Sequence, residues 1–561
     1  MTTESEYNRV PYRSLILPIF PNPKGPSPMR YAVLLLLLTV KPVLAQPTTV
    51  KLTGHIVSAD SGQPLPARLY IRSKTGTWHF ARSAAGNGSA IRYDKERAGG
   101  KSVEKHTTLS AHPFVAELPP GDYTLTAERG HEYLTTKKTL RVGKQPVEVT
   151  LKLKRWINMA DKGWYSGDTH VHRDLAELPN VMLAEDLNVA LPLTYWVTTA
   201  FTPPKLGSKS SKKDPPARVF QMDKTHLIYP RNTEYEIFSV AGKRHTLGAF
   251  FVLNHKTIFE KGVPPVSSIA ERAHQEGALL ELDKPNWPWS MMLVPIMKID
   301  LFELSNNHVW RTKFGFPKFG IPAPNYMKVD TDLNGFTEQG WIDFNFQNYY
   351  ALLDCGFRLR PTAGTASGVH PVPLGFGRVY VHCEDFTYKN WMNGLDAGRS
   401  FVSTGPMLDV RLNKEFPGHT FKQEGTFSYK LRGTAVSAGP LDRIEVVING
   451  EVAHKIQPQN GKTKSGAFSS SMNLDLKMDS SSWVAVRCFE IRNNRPRFAH
   501  TAPFHIDVAG KPLRPRKEEI AFLIQRVEDE LKRHQGVLPK AALAEYRRGL
   551  EIYRRIAKTA R

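Results

Sequence analysis

The hydrophobic period of this chain changes twice, near residues 160 and 405, so no single repeating architecture can accommodate all of it. Residues 49–154 alternate apolar and polar side chains, as half-buried strands do: Val50-Lys-Leu-Thr-Gly-His-Ile-Val, Ala67-Arg-Leu-Tyr-Ile-Arg, Tyr123-Thr-Leu-Thr-Ala and Val147-Glu-Val-Thr-Leu-Lys-Leu. Pro119-Pro-Gly-Asp marks a turn between strands, and short strands so punctuated predict a β-sandwich. Residues 84–110 read as a polar, Gly/Ser/Lys-rich insertion. From 160 to about 405, apolar runs alternate with helical patterns. The runs are Val189-Ala-Leu-Pro-Leu-Thr, Thr246-Leu-Gly-Ala-Phe-Phe-Val-Leu, Ala278-Leu-Leu-Glu-Leu and Leu301-Phe-Glu-Leu. The helical stretches are Pro179–Asp186 and Val266–Glu276, the second with Ile269, Ala270 and Ala273 on one face. Such alternation predicts a parallel α/β architecture of the kind that closes into barrels. The Lys/Ser/Pro-rich stretch 205–215 reads as a surface loop. Residues 406–508 return to strand patterns, with Asn449-Gly450 as a hairpin turn. Residues 517–558 are helical, with Ile520, Leu523, Ile524, Val527 and Leu531 in a stripe and a second helix from near Pro539; this tail is expected to pack back on the body.

The expected organisation is therefore a leader at 1–46, a β-sandwich at 49–154, an α/β barrel at 160–405, a β-sandwich-like domain at 406–508 and a helical tail at 515–561. A length of 561 residues suits about three to four domains. In the leader, Met29-Arg30 precedes an apolar run through Val40, and Val43-Leu44-Ala45 precedes Gln46. This is the pattern of a secretory signal peptide, with Met29 a candidate start, and it predicts export to the periplasm or the cell exterior. The run is too short for an ordinary membrane span, so no transmembrane anchor is expected. The formal net charge of +23 suits a solvated basic surface or an acidic partner such as an anionic substrate or polysaccharide. Its basic residues are scattered and accompany no nucleic-acid-binding motif, so no specific nucleic-acid partner is expected. The three cysteines form no CxxC pair, which excludes a zinc ribbon and leaves buried free thiols as the favoured reading.

The strongest chemical signal is Asp168-Thr-His170-Val-His172. Residues i and i+2 of a strand point the same way, so these imidazoles can grip one divalent ion at a strand end. A hydrogen-bonded or exposed pair is the competing reading. There is no Gly-rich phosphate loop, Gly-x-Ser-x-Gly elbow or nucleophilic cysteine context.

Gly163-Trp-Tyr-Ser-Gly-Asp-Thr-His-Val-His resembles the first motif of the PHP (polymerase-and-histidinol-phosphatase) superfamily, in particular its CehA/McbA-type metallohydrolases. Leu353-Asp-Cys-Gly-Phe-Arg-Leu-Arg-Pro-Thr-Ala-Gly-Thr-Ala-Ser-Gly, Gly377-Arg-Val-Tyr-Val and Trp391-Met-Asn-Gly-Leu-Asp-Ala-Gly-Arg-Ser-Phe-Val-Ser-Thr-Gly-Pro extend the likeness over about residues 160–410. The resemblance implies a distorted (β/α)7 barrel with metals at the strand C-terminal ends, and hydrolysis. The segments Gly54-His-Ile-Val, Gly62-Gln-Pro-Leu-Pro-Ala and Leu118-Pro-Pro-Gly-Asp-Tyr-Thr-Leu resemble a carboxypeptidase-regulatory-like (transthyretin-like) module. The chain departs from the PHP pattern at three places. Thr194-Tyr195-Trp196 stands for Thr-Asp-His, Asp283-Lys284-Pro285 for Ala-His-Pro, and Gly364-Thr365-Ala366-Ser367 for Gly-Ser/Thr-Asp.

What remains predicts one divalent ion, Zn²⁺, Mn²⁺ or Fe²⁺, rather than two or three. Its ligands would be His170, His172 and Glu234, preferred over Glu236, with His245 as a fourth ligand or a support. Lys284 would hold substrate charge, offset a lost metal, bridge metals if carbamylated, or be structural. His308, after the strand Asp300-Leu-Phe-Glu-Leu, and Asp186 are the proton-handling candidates, with His370 and Arg378 behind them. Trp196, Trp287 and Trp289 suit either a pocket wall or core packing. Two functions follow. One is an exported hydrolase in which metal-activated water attacks an ester, carbamate or phosphoester in a small-molecule or anionic substrate. The other is a non-catalytic protein on a degenerate barrel, binding polysaccharide or anionic ligands. The sequence leaves the oligomeric state open.

Overall fold

The computed structural model describes residues 49–207, 211–318 and 320–561; the leader expected at 1–46 lies outside them. The protein is multidomain and sheet-rich, with few helices. The N-terminal alternation folds as expected into two facing sheets. One orders the strands Val147–Leu153, Val50–Ser58, Phe114–Leu118 and Arg82–Ser83. The other is built around Ala67–Ser73 and Gly121–Glu128. Leu52, Leu69, Phe114, Leu125 and Leu151 are fully buried between them, each adding about 1.5–3 kcal/mol of apolar burial. The stretch 84–110 is more ordered than an insertion need be. Ala90–Arg97 and Ser102–Leu109 form an antiparallel hairpin on the second sheet, with buried Tyr93 and His106 cross-paired.

The central region is a succession of paired strands. Trp164–Val171 pairs in parallel with Val189–Thr199, and that strand in parallel with Asn232–Val240. Asn232–Val240 then pairs antiparallel with Lys243–Leu253, which pairs antiparallel with Leu279–Leu282. Leu279–Leu282 pairs in parallel with Leu301–Ser305, and Leu301–Ser305 in parallel with Arg360–Ala363. Just beyond Ala363 the chain meets the first strand again: Ala366 N–H donates to His170 O at 2.6 Å and His172 N–H to Ser367 O at 2.9 Å. Helices Leu178–Glu185, Ser267–Glu276, Ser290–Met297 and Glu338–Asp354 lie between strands, the first two matching the expected stretches to within a residue at each end.

After Ser400–Ser403 the sheet continues without a break through Arg495–Thr501 into the C-terminal strands. These face a second sheet built on Phe427–Ser437 and Phe468–Met478. Asn449 and Gly450, both at positive φ, join Leu441–Ile448 to Glu451–Ile456 as the sequence predicts. Helices Lys517–Arg533 and Lys540–Ala557 bury Ile520, Leu523, Val527, Tyr546 and Tyr553 in the core shared with the central region, so the tail does pack on the body. All three cysteines are free thiols. Among the described residues no helix is long and apolar enough to cross a membrane.

Candidate metal centre

Successive central strands deliver polar groups to one buried place. His170 is the last residue but one of the strand Trp164–Val171, and His172 follows directly after that strand. Their Nε2 atoms lie 3.2 Å apart, and His172 Nε2 is 3.2 Å from Glu234 Oε2. Two ligands held tetrahedrally on one zinc-sized ion are separated by about 3.3 Å, given bonds of about 2.0–2.1 Å. His170 Nε2 is 3.9 Å from Glu234 Oε1. The His170, His172 and Glu234 donor atoms all fall within 4.8 Å of one another, and all three residues are buried. The donor set and its convergence thus fit a divalent cation.

Three carboxylates that the sequence reading had not placed in the site are part of it. Glu303, in Leu301–Ser305, lies with Oε1 3.0 Å from His170 Nδ1, the contact that fixes the ring of a metal-binding histidine. Asp283, just after Leu279–Leu282, approaches His170 Nδ1 at 3.8 Å. Glu281, two residues earlier on the same face, accepts from Thr169 and Thr362 hydroxyls, both at 2.8 Å. Burial pushes the Glu281 carboxyl up to about 8; burial and then the Asp283 charge push that of Glu303 well above its usual range. The signal for these groups was available: Glu281 and Glu303 interrupt runs otherwise apolar enough to be buried strands, where an acid is rare unless paired.

Asp168 turns its carboxylate to the framework, accepting from Thr365 Oγ1 at 2.6 Å, Gly375 N at 2.9 Å and His170 N at 3.1 Å. Lys284 is buried, ion-paired with Asp283, 3.7 Å from Glu236 Oε1 and 4.6 Å from the Trp287 ring centroid. Burial alone would lower its pKa, but the Asp283, Glu236, Glu234 and Glu303 charges raise it above the usual value, so it stays an ammonium. Trp196 Nε1 donates to Glu236 at 3.2 Å, while Trp289 is a fully buried core residue. His308 stacks on Phe316 with centroids 3.8 Å apart. Burial, then the charges of Lys284 and His370, hold its pKa well below the usual value, so the imidazole is neutral. The His370 carbonyl accepts from Tyr93 of the N-terminal hairpin, and Arg378 donates to Gly375 O and Glu185 O, so both serve the framework.

Two expected site residues lie elsewhere. His245 is not beside His170: its Nε2 is 2.8 Å from His534 Nδ1 on the C-terminal tail. Phe251 of the same strand is the residue that touches the His170 ring, and six residues of strand span about 20 Å. Asp186 caps Leu178–Glu185 at positive φ and is gripped by Arg129 at 2.6 Å and Arg155 at 2.5 Å, both from the N-terminal side. Burial opposes its charge, but the two guanidinium groups hold its carboxyl down to about 2, which leaves no proton to exchange near neutrality.

No protein-family model matches this chain, and no curated protein matches it. Among solved structures, it is similar to a two-domain protein containing a predicted PHP-like metal-dependent phosphoesterase from Bacteroides vulgatus, at 10% identity and a TM-score of 0.26, over 61% of this chain and 94% of that one. A TM-score that low does not establish a common fold.

Proposed function

We propose that the protein is a metal-dependent hydrolase of the PHP-like kind, its central strands forming a distorted (β/α)7 barrel that holds one divalent ion on His170, His172 and Glu234. The observation that carries this reading is the convergence of two imidazole nitrogens and a carboxylate, all buried, within 4.8 Å. A bound Zn²⁺, Mn²⁺ or Fe²⁺ supplies a Lewis acid and makes water acidic enough to ionise near neutrality. The chain's own residues do the rest. Glu303 holds the His170 ring in the tautomer that leaves Nε2 free to bind. Burial and the Lys284 charge keep His308 neutral and make it a weak base, so we assign it a positioning rather than a proton-accepting part. An ester, carbamate or phosphoester is the proposed substrate class. The pattern Met29–Ala45, outside the described residues, supports reading the chain as exported.

The test is metal content and stability of the purified protein, followed by p-nitrophenyl acetate, a p-nitrophenyl carbamate and bis-p-nitrophenyl phosphate offered to the Mn²⁺- or Zn²⁺-loaded protein. We expect bound metal in the wild type, its loss in His170→Ala and Glu234→Gln, and turnover of at least one substrate abolished by chelator. A wild type with no transition metal and no loss of thermal stability in chelator overturns the proposal and leaves the non-catalytic binding reading.

A further inference from the structure

A second group of carboxylates, sharing Glu234 with the proposed metal ligands, already holds a cation. Donor atoms of Glu234, Glu236 and Asp283 converge within 4.8 Å, close enough for one ion to bridge them. Lys284 brings its ammonium to the same carboxylates, paired with Asp283 and 3.7 Å from Glu236. We propose that Lys284 is the resident second cation of this site, taking the position that a second divalent ion would occupy among these carboxylates and so limiting the site to one metal.

The loop that carries Lys284 is built to keep it there. Asp283 and Lys284 follow directly on Leu279–Leu282, whose pairing on both sides fixes where the strand ends. Beyond them, the Lys284 carbonyl accepts from Ser290 Oγ at 2.6 Å and from Trp287 N at 3.2 Å. Arg526, buried in the tail helix Lys517–Arg533, donates to the carbonyls of Pro285 and Trp287, both at 2.6 Å. The Trp287 ring closes over the ammonium, which is thereby held by a sandwich of carboxylates and an aromatic face and has little freedom to leave. With one positive charge fixed there, a divalent ion placed on the same oxygens would meet an unscreened like charge within a few ångströms. The ammonium cannot itself ligate a metal, so it caps the number of ions without taking part in binding the first.

This inference rests on the metal reading of His170, His172 and Glu234, and metal counting separates the two. The wild type, Lys284→Met and Lys284→Arg are loaded with excess Mn²⁺ or Zn²⁺, freed of unbound ion, and assayed for metal per chain by plasma mass spectrometry and for melting temperature with and without metal. We expect one ion per chain in the wild type and Lys284→Arg, and two in Lys284→Met, whose melting temperature depends more steeply on added metal. If Lys284→Met folds only when the divalent ion is present and then carries two, the ion has replaced the ammonium and the proposal stands. Two ions in the wild type, one in folded Lys284→Met, or a Lys284→Met that no metal concentration rescues overturns the inference and leaves the mononuclear or binuclear hydrolase reading in place. No metal in the wild type overturns that reading itself, and the inference with it.

Discussion

Replacing Gly364 by alanine tests whether the His170–Glu303 contact holds the metal centre in shape. A β-carbon built on Gly364 lies 2.1 Å from Glu303 Oε1 and 2.2 Å from His170 Cβ. Non-bonded carbons settle at about 3.5–4.0 Å, so His170 Cβ or the new methyl must yield by about 1.3 Å or more. The His170 backbone has little room to give, since its carbonyl accepts from Ala366 N at 2.6 Å and its N–H donates to Asp168 at 3.1 Å. The shift therefore falls on the imidazole and on Glu303, whose 3.0 Å contact is the one that orients it. Sites of this kind tolerate displacements of about 0.5 Å. Loss of an orienting partner alone costs 10–100-fold in metal affinity, so we expect Gly364→Ala to weaken Zn²⁺ or Mn²⁺ binding by at least about 100-fold, or ~2.7 kcal/mol. Overpacking adds about 1–3 kcal/mol of destabilisation to the apo protein. The assay is a competition titration against a chromophoric chelator, with Gly86→Ala as control because a β-carbon there meets nothing within 4 Å. A folded Gly364→Ala that binds metal within about threefold of the wild type, less than 1 kcal/mol, refutes the reasoning.

The remaining predictions concern the two residues that the structure removes from the site. Asp186→Ala takes one charged partner from buried Arg129 and half-buried Arg155, which keeps Glu132, and should destabilise the protein by about 1.5–3 kcal/mol without changing its metal content; a fall in metal per chain in the folded variant would contradict its placement. Because the Asp186 carboxyl is held at about 2, below its ordinary 3.8, its stabilisation is fully present above 3.8 and is lost as pH falls toward 2. The melting-temperature gap between wild type and Asp186→Ala should narrow over that window. His245→Ala removes the 2.8 Å contact with His534 and should cost about 1 kcal/mol in thermal melts, with metal stoichiometry untouched; loss of the ion would put His245 back among the ligands.

Much of the architecture is legible in the sequence because strands and helices leave different periods, and those periods survive when both faces are not buried. Val50–Ser58 and Gly121–Glu128 show this, with exposed or half-exposed residues alternating with buried ones. The pair His170 and His172 is legible for the same reason, since i and i+2 share a face wherever a strand ends. Glu234 is legible only as one of the two carboxylates of Thr233-Glu234-Tyr235-Glu236, and the stretch itself does little to mark which of them meets the histidines. His245 misleads because a histidine near a strand start carries no mark of which end of that strand faces the site. The strand is antiparallel to its neighbours on both sides, which points His245 to the tail and Phe251 to His170. Asp186 misleads for a different reason: its partners Arg129 and Arg155 are distant in sequence, following the strands Gly121–Glu128 and Val147–Leu153, so only the packed structure pairs them.

The buried acids explain why this interior calls for a cation at all. Asp168, Glu234, Glu281, Asp283 and Glu303 are each no more than 1% exposed. An unpaired carboxylate in such a place costs several kcal/mol, so each must be protonated, hydrogen-bonded or paired. Asp168 is met by donors from three residues of the framework, and its carboxyl still rises, by burial, to about 6. Glu281, raised to about 8, is neutral at pH 7 and rests on two threonine hydroxyls. Burial and then the Asp283 charge push the Glu303 carboxyl well above its usual range, and Asp283 is ion-paired with Lys284. Glu234 faces His172 at 3.2 Å and His170 at 3.9 Å. A divalent ion among those nitrogens and that oxygen would add positive charge at the point where the donor atoms converge, and in this way the cluster of buried acids favours a cation there.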